Sequence, residues 1–195
     1  MKNSLLTTAA AVFGMVFSTL SQPALAQSAS YEIDGSHTFV TFEVLHFGTS
    51  TARGRFDKKQ GMIVLDKAAK TGKANITIDV ASVNTGVKPL DAAILGTNFL
   101  KVAEFPTAQF VGDKFTFDGE KVSAVTGTLT LLGKSQPVTL SASNFNCYTS
   151  PYTKTEVCGG DFVTTVQRSA FGITHQPGTL GESVRLTIQI EAARQ

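Results

Sequence analysis

The sequence predicts an all-β, antiparallel fold, either a sandwich or a barrel, and two observations carry that expectation. Apolar residues recur with period two in short runs, and the runs are separated by turn-forming Gly, Asp, Asn and Pro. The opposite face of several runs is Thr, which favours extended backbone and tolerates water: Thr126, Thr128 and Thr130 alternate with Val125, Gly127, Leu129 and Leu131.

The runs follow in order. Val40, Phe42, Val44 and His46 share one face of the segment from His37 to Phe47, and Ala74, Ile76, Ile78 and Val80 share one face of the next clear segment. Val138, Leu140 and Ala142 repeat the pattern, as do Val184, Leu186, Ile188 and Ile190. Turns are expected at Gly72, Asp118-Gly119, Gly133 and Gly159-Gly160. One stretch departs from period two. Pro89 to Val102 places Leu90, Ala93, Ile94 and Leu95 near helical spacing, with Pro89 suited to a helix start. One or two short helical turns are expected there, as a core-covering connection or as a lid over a barrel mouth.

The first 26 residues read as an export signal. Lys2 supplies the positive end, Leu5 to Leu20 is mostly apolar, and Ala24-Leu25-Ala26 offers the small residues that precede cleavage. Cleavage after Ala26 leaves one domain, residues 27–195, in the periplasm. No later segment reaches the uninterrupted apolar length of a bilayer span, so a soluble mature chain is expected.

The formal charge is +2, with Lys2 part of it, and acidic and basic residues are mixed along the chain. That balance argues against nucleic acid as a partner, because phosphate binding needs clustered cations. The densest basic block, Arg53, Arg55, Lys58 and Lys59, reads as a solvated strand end or as a rim that meets anionic head groups. Cys147 and Cys158 are the chain's two cysteines, and in an oxidising compartment they are expected to pair. Catalytic or metal-bound thiols are the alternative.

Motifs for chemistry are missing. There is no Gly-x-Ser-x-Gly, no His-Glu-x-x-His and no phosphate-cradling Gly loop ahead of a helix. His37 and His46 are nine residues apart, so an unbroken strand sends them to opposite faces. His175 has no neighbouring ligand pattern, and no metal site or cofactor is expected. His46, on the apolar face, is expected to point inward near a strand end. It is either a satisfied core histidine or a polar group that fixes a ligand's head. Arg168, if inward, calls for a carboxylate partner or an anionic ligand, since a bare buried charge is costly.

The segments from Tyr31 to Ala193 together resemble the YceI-like family. The resemblance rests on Tyr31-Glu-Ile-Asp34 followed by His37-Thr-Phe-Val-Thr-Phe-Glu-Val-Leu-His46, then Gly54-Arg-Phe56, Ala81-Ser-Val-Asn-Thr85, Asn98-Phe99 and Phe105-Pro106. It continues with Gly127-Thr-Leu-Thr-Leu-Leu-Gly133, Arg168-Ser-Ala-Phe-Gly172 and Val184-Arg-Leu-Thr-Ile-Gln-Ile190. The resemblance implies an eight-stranded, lipocalin-like antiparallel barrel with one or two short helices. It implies a periplasmic carrier that is not an enzyme and holds a polyisoprenoid, such as a ubiquinone-type or isoprenoid-phosphate chain, in an apolar tunnel. Phe42, Val44, His46, Phe56, Ile78, Phe99, Phe110, Leu129, Leu131, Arg168, Phe171 and Ile188 are the lining residues expected on that reading. Transient membrane contact and a homodimer are compatible with it.

The chain departs from the family pattern at Leu90 and Ala93, where polar residues are common, and at Asn98 and Ala170, where Asp is usual. These departures imply a more apolar mouth and a ligand without a charged phosphate. The alternatives are a ligand-free structural or interaction barrel, and an enzyme for which His46 and Arg168 are the handles.

Overall fold

A computed structural model describes residues 28–195; the expected export signal lies outside them. Eleven antiparallel strands form one sheet: β1 (Ala29–Ile33), β2 (Phe39–His46), β3 (Ser50–Phe56), β4 (Lys59–Asp66), β5 (Thr71–Asp79), β6 (Val83–Asn84), β7 (Thr107–Asp118), β8 (Lys121–Leu131), β9 (Lys134–Thr149), β10 (Glu156–Gln167) and β11 (Leu180–Arg194). Eight of them, β1-β4-β5-β7-β8-β9-β10-β11, close into a ring, because β1 pairs with β4 on one side and with β11 on the other. This is the expected closed eight-stranded barrel. Closure removes the free strand edges that an open sheet would expose.

The remaining three strands follow from two interruptions. β11 is long enough, at 15 residues, to take two partners on one edge. Ala192 to Arg194 pair with β1, and Val184 to Gln189 pair with β2. β1 and β2 are thus two halves of one strand, broken at Asp34–Thr38. There the Asp34 carboxylate accepts the Ser36 N–H at 2.8 Å and folds the chain into a tight turn. β3 and β4 are likewise separated by Asp57 and Lys58. The upper lobe β2-β3-β6 therefore leaves the lower ring while staying hydrogen-bonded to β11.

The period-two runs fall in strands, except that Val80 opens a 3-10 turn just after β5, and two of the expected turns do not lie at their glycines. Gly72 lies inside β5, and the ring of Phe115 packs on it at 2.8 Å from where a Cβ would stand. Gly159 and Gly160 lie inside β10, where a side chain would strike the carbonyls of Ile190 and Asn144 on the flanking strands. Glycine is required there for close strand approach, not for a change of direction.

The helical stretch is one α-helix, α1 (Lys88–Leu95), with Pro89 in its first turn as expected. Two 3-10 turns, Val80–Ser82 and Arg168–Phe171, complete the regular structure. No helix among the described residues is long and apolar enough to cross a membrane. Ile94 and Leu95 at the end of α1, with Phe99, Val102 and Phe105 after it, pack on a core cluster built from Val80, Leu100, Leu132 and Ile173 among others. A second cluster, around Tyr31, Phe110, Val125, Phe162 and Phe171, fills the walls of the barrel.

Candidate functional site

The barrel is hollow. Inward side chains of the ring strands enclose a lower chamber of about 120 Å³, lined by Ile76, Phe110, Val125, Phe162 and Ile188 among others. An upper chamber of about 340 Å³ lies between the β2-β3 lobe, α1 and the end of β10. Leu129 and Leu186 line both chambers and form the waist between them. Along β11 the lining runs from Val184 to Ala192, a rise of about 26 Å at ~3.3 Å per residue. That is the span of several isoprene units.

All the expected lining residues face this space. Ile78, Phe110, Leu129 and Ile188 line the lower chamber, and Phe42, Val44, His46, Phe56, Phe99, Leu131, Arg168 and Phe171 line the upper one. Period two on β2, β8 and β11 places most of them. The alternation also explains the company they keep: Val44 lies opposite Ala52, and Phe42 opposite Gly54. A Cβ at Gly54 would fall 2.8 Å from Cε1 of Phe42, so glycine makes room for that ring to lie flat against β3 beside Phe56, 5.8 Å away.

Sequence reasoning missed Phe115 and Phe145 in the lower chamber and Ile94 in the upper. The alternation near Phe145 is broken by a register shift between β9 and β10 at Asp161/Phe162, which hides its facing from a strict period.

The polar lining is mostly engaged. Arg168 corrects an expectation. It is 4% exposed and borders the upper chamber, yet its guanidinium is turned to backbone carbonyls, with the nearest carboxylate beyond hydrogen-bond distance. Its Nε donates to the carbonyl of Gly181 at 3.0 Å, Nη1 to Ile173 and His175 at 2.9 and 2.7 Å, and Nη2 to Gln176 and Leu180 at 3.3 and 3.1 Å. Glu182 stands 3.9 Å away. Every guanidinium N–H is spent on backbone, so Arg168 is the clamp that shapes the β10–β11 connection and has no donor left for an anionic head group.

His46 is the second correction. It lines the upper chamber as expected, but it is exposed at the rim instead of buried, with its ring edge-on to Phe47 at 4.6 Å. Arg53 donates to Glu43 at 2.8 Å, and Thr85 donates to the buried Asp91 from both its N–H and its hydroxyl, each at 2.7 Å. His46 and Gln176 are left as the polar side chains at the mouth not already engaged within the described residues.

At the far end, Tyr31 is 2% exposed, and its hydroxyl donates to Glu156 at 2.8 Å. Glu156 also takes an ion pair from Lys67, with Arg194 3.7 Å away. Burial, reinforced by the Glu156 carboxylate, pushes the Tyr31 phenol up to about 12. The Lys67 ammonium holds the Glu156 carboxyl below its usual range. Thr38, also lining the lower chamber, donates to the carbonyl of Glu191 at 3.2 Å. The lower chamber thus offers a ligand hydrocarbon and no free charge.

Cys147 and Cys158 are directly opposed on β9 and β10 and form a disulfide. Their position beside Glu156 is therefore that of a cross-strand staple, not of thiolate ligands.

Fold and cavity define a class: a small closed antiparallel barrel, hollow and apolar inside, with its polar groups gathered at the two ends. Within that class the chain belongs to the YceI-like family, whose domain model matches residues 31–192. The UPF0312 protein of Ectopseudomonas mendocina is 34% identical over 173 residues, covering 87% of this chain and 90% of the relative. Among solved structures, BcnA of Burkholderia cenocepacia is 25% identical with a TM-score of 0.69, over 82% of this chain and 98% of that one. A polyisoprenoid binding domain from Saccharophagus degradans, implicated in plant cell wall breakdown, shares the fold with a TM-score of 0.63 at 16% identity, over 86% of this chain and 99% of that one.

Proposed function

We propose that the chain is a periplasmic carrier for an isoprenoid lipid, held with its chain along the barrel axis and its head at the upper mouth. The observation that carries this reading is the two-chambered cavity, apolar along its length and open to polar groups only at its rim. The fold neighbour that binds polyisoprenoids is in accord with it. Because Arg168 is fully engaged, the head group is favoured to be uncharged, as in a quinone or an isoprenol, with His46 and Gln176 within reach to hydrogen-bond it.

Binding and release are physically compatible. Burial from water is worth about 0.8 kcal/mol per CH₂, which for a long isoprenoid would make release too slow. A chain already dry in a bilayer loses little on entering a dry barrel, so exchange with membranes is close to neutral. A binding role is favoured over catalysis because the polar lining groups of the described residues are paired with backbone or with each other, apart from the two at the mouth.

The test is native mass spectrometry of the protein purified from its own periplasm, followed by organic extraction and lipid analysis. A stoichiometric isoprenoid adduct is expected. An unladen mass that persists after incubation with isoprenoid-loaded vesicles would leave a packed, ligand-free barrel as the better account.

A further inference from the structure

Two hairpins in this barrel place a large apolar residue where the backbone asks for something else. In the β2–β3 turn, the Thr49 N–H donates to His46 C=O at 3.0 Å, and Phe47 and Gly48 between them have φ of +51° and +65°. The β8–β9 turn does the same with Leu132 and Gly133, at +52° and +69°. Positive φ at the first position favours Asn or Gly and penalises a bulky side chain. For Leu132 the compensation is plain, since its side chain is 8% exposed and sits in the upper core. Phe47 is 63% exposed. Among the described residues its aromatic contact is the ring of His46, itself exposed, which leaves most of the Phe47 side chain in solvent.

A second position breaks its local rule at the same mouth. Val87 is the residue that caps the N-terminus of α1; it makes no side-chain capping bond and is 53% exposed. Ser, Thr, Asp or Asn would be the favoured residue there. Phe47 follows His46, and Val87 lies between Thr85 and Leu90; His46, Thr85 and Leu90 all line the upper chamber. Leu45 and Leu90 add further exposed hydrocarbon to the rim. Beside Val87, Lys88 is 90% exposed, its nearest carboxylate being the buried Asp91 at 3.6 Å. Arg53, on the same lobe, is paired with Glu43.

We propose that this rim, led by Phe47 and Val87, docks the barrel mouth onto a lipid bilayer surface bearing anionic head groups. An exposed aromatic on a hairpin tip and an aliphatic beside a long cation are suited to the interface between head groups and acyl chains, where Lys snorkels to phosphate. The occupant follows from the cavity: the rim surrounds the opening through which an apolar chain must pass, and a bilayer is where that chain can stay dry. The inference rests on the isoprenoid-carrier reading for its purpose, while its test reads the surface alone.

The test is sedimentation of the protein with vesicles of phosphatidylethanolamine and phosphatidylglycerol, comparing wild type with a Phe47→Asn/Val87→Ser variant. Both substitutions install the residue that the local backbone favours, so the variant's Tm is expected to equal or exceed that of the wild type. Its vesicle binding is expected to fall at least about ten-fold, the order of effect that losing one buried Phe side chain produces. Neither residue lines the cavity, so binding of farnesol in vesicle-free solution is expected to be unchanged. Wild type that sediments but fails to bind farnesol leaves the docking surface standing and removes the isoprenoid cargo. Equal sedimentation of variant and wild type overturns the proposal. So does wild type that stays in the supernatant as a dimer dispersed by the substitutions, which would make the rim a contact between copies.

Discussion

At the scale of single residues, the two polar groups that matter most differ from what their sequence context implies. Arg168 sits among apolar neighbours and resembles an anion-binding group, yet its five donors each meet a backbone carbonyl from the segment Ile173–Gly181. Lysine has three donors on one nitrogen and cannot span that set. Arg168→Lys is therefore expected to lower stability by about 2–5 kcal/mol, two carbonyls at least being left unpaired. Urea unfolding measures it, and a loss smaller than about 0.5 kcal/mol would remove the clamp from the account. The Tyr31–Glu156 pair predicts stability limits at both ends of the pH scale. A phenol raised to about 12 contributes stability that is intact below its ordinary value near 10 and is lost as pH climbs from there through 12. A carboxyl held low contributes stability present above its ordinary value of 4.5 and lost as pH falls through its folded value. Tyr31→Phe is expected to flatten the alkaline limb of a Tm-versus-pH curve, and Glu156→Gln the acid limb. Period two told which way His46 faces but not how high it stands, because height depends on where β2 ends relative to the mouth. The carbonyls around Arg168 were illegible for a related reason: backbone acceptors leave no trace in residue identity.

Among the secondary-structure elements, what was legible is what repeats. β2, β5, β8, β9 and β11 show their inner faces in the sequence because each alternates for several residues without a bulge. Gly159-Gly160 looked like a turn because a side chain is missing, and the sequence does not say whether the space is needed for a bend or for a neighbouring carbonyl. Gly54 makes the same point on the cavity side. Gly54→Ala places a methyl against the ring of Phe42 and 3.0 Å from Cγ2 of Thr85, so the ring is expected to swing into the upper chamber. Reduced farnesol capacity with little change in secondary structure, read by titration and circular dichroism, is the expected outcome; unchanged capacity would mean that the ring has another place to go. The Cys147–Cys158 staple ties β9 to β10 across an 11-residue separation. In the chain-entropy account, closing a loop of that size constrains the unfolded chain by roughly 2–3 kcal/mol. Reduction with dithiothreitol, or paired replacement by Ala, is expected to lower the unfolding free energy by that amount while leaving the cavity in place.

On the scale of the whole molecule, the cavity is one space with a waist, and the waist can be closed. Leu186→Phe adds volume where the two chambers meet. It is expected to leave the barrel folded and to shorten the isoprenoid recovered by extraction, as a tail stopped at the waist cannot enter the lower chamber. Recovery of the same chain length would show that the tail does not pass there. The ring also has a consequence in time. It closes only where Tyr31, Glu32 and Ile33 of the first strand meet Ala192, Ala193 and Arg194 of the last. Contacts between such distant parts of a chain are slow to find, because the intervening loop must be closed before they reward it. A ribosome or a translocation channel feeding this chain from its N-terminus delivers the final partner last. Until those closing residues arrive, β1 and β11 have bare edges and the future cavity is a groove, so the nascent protein stays threadable to the end and becomes a vessel in a single late step.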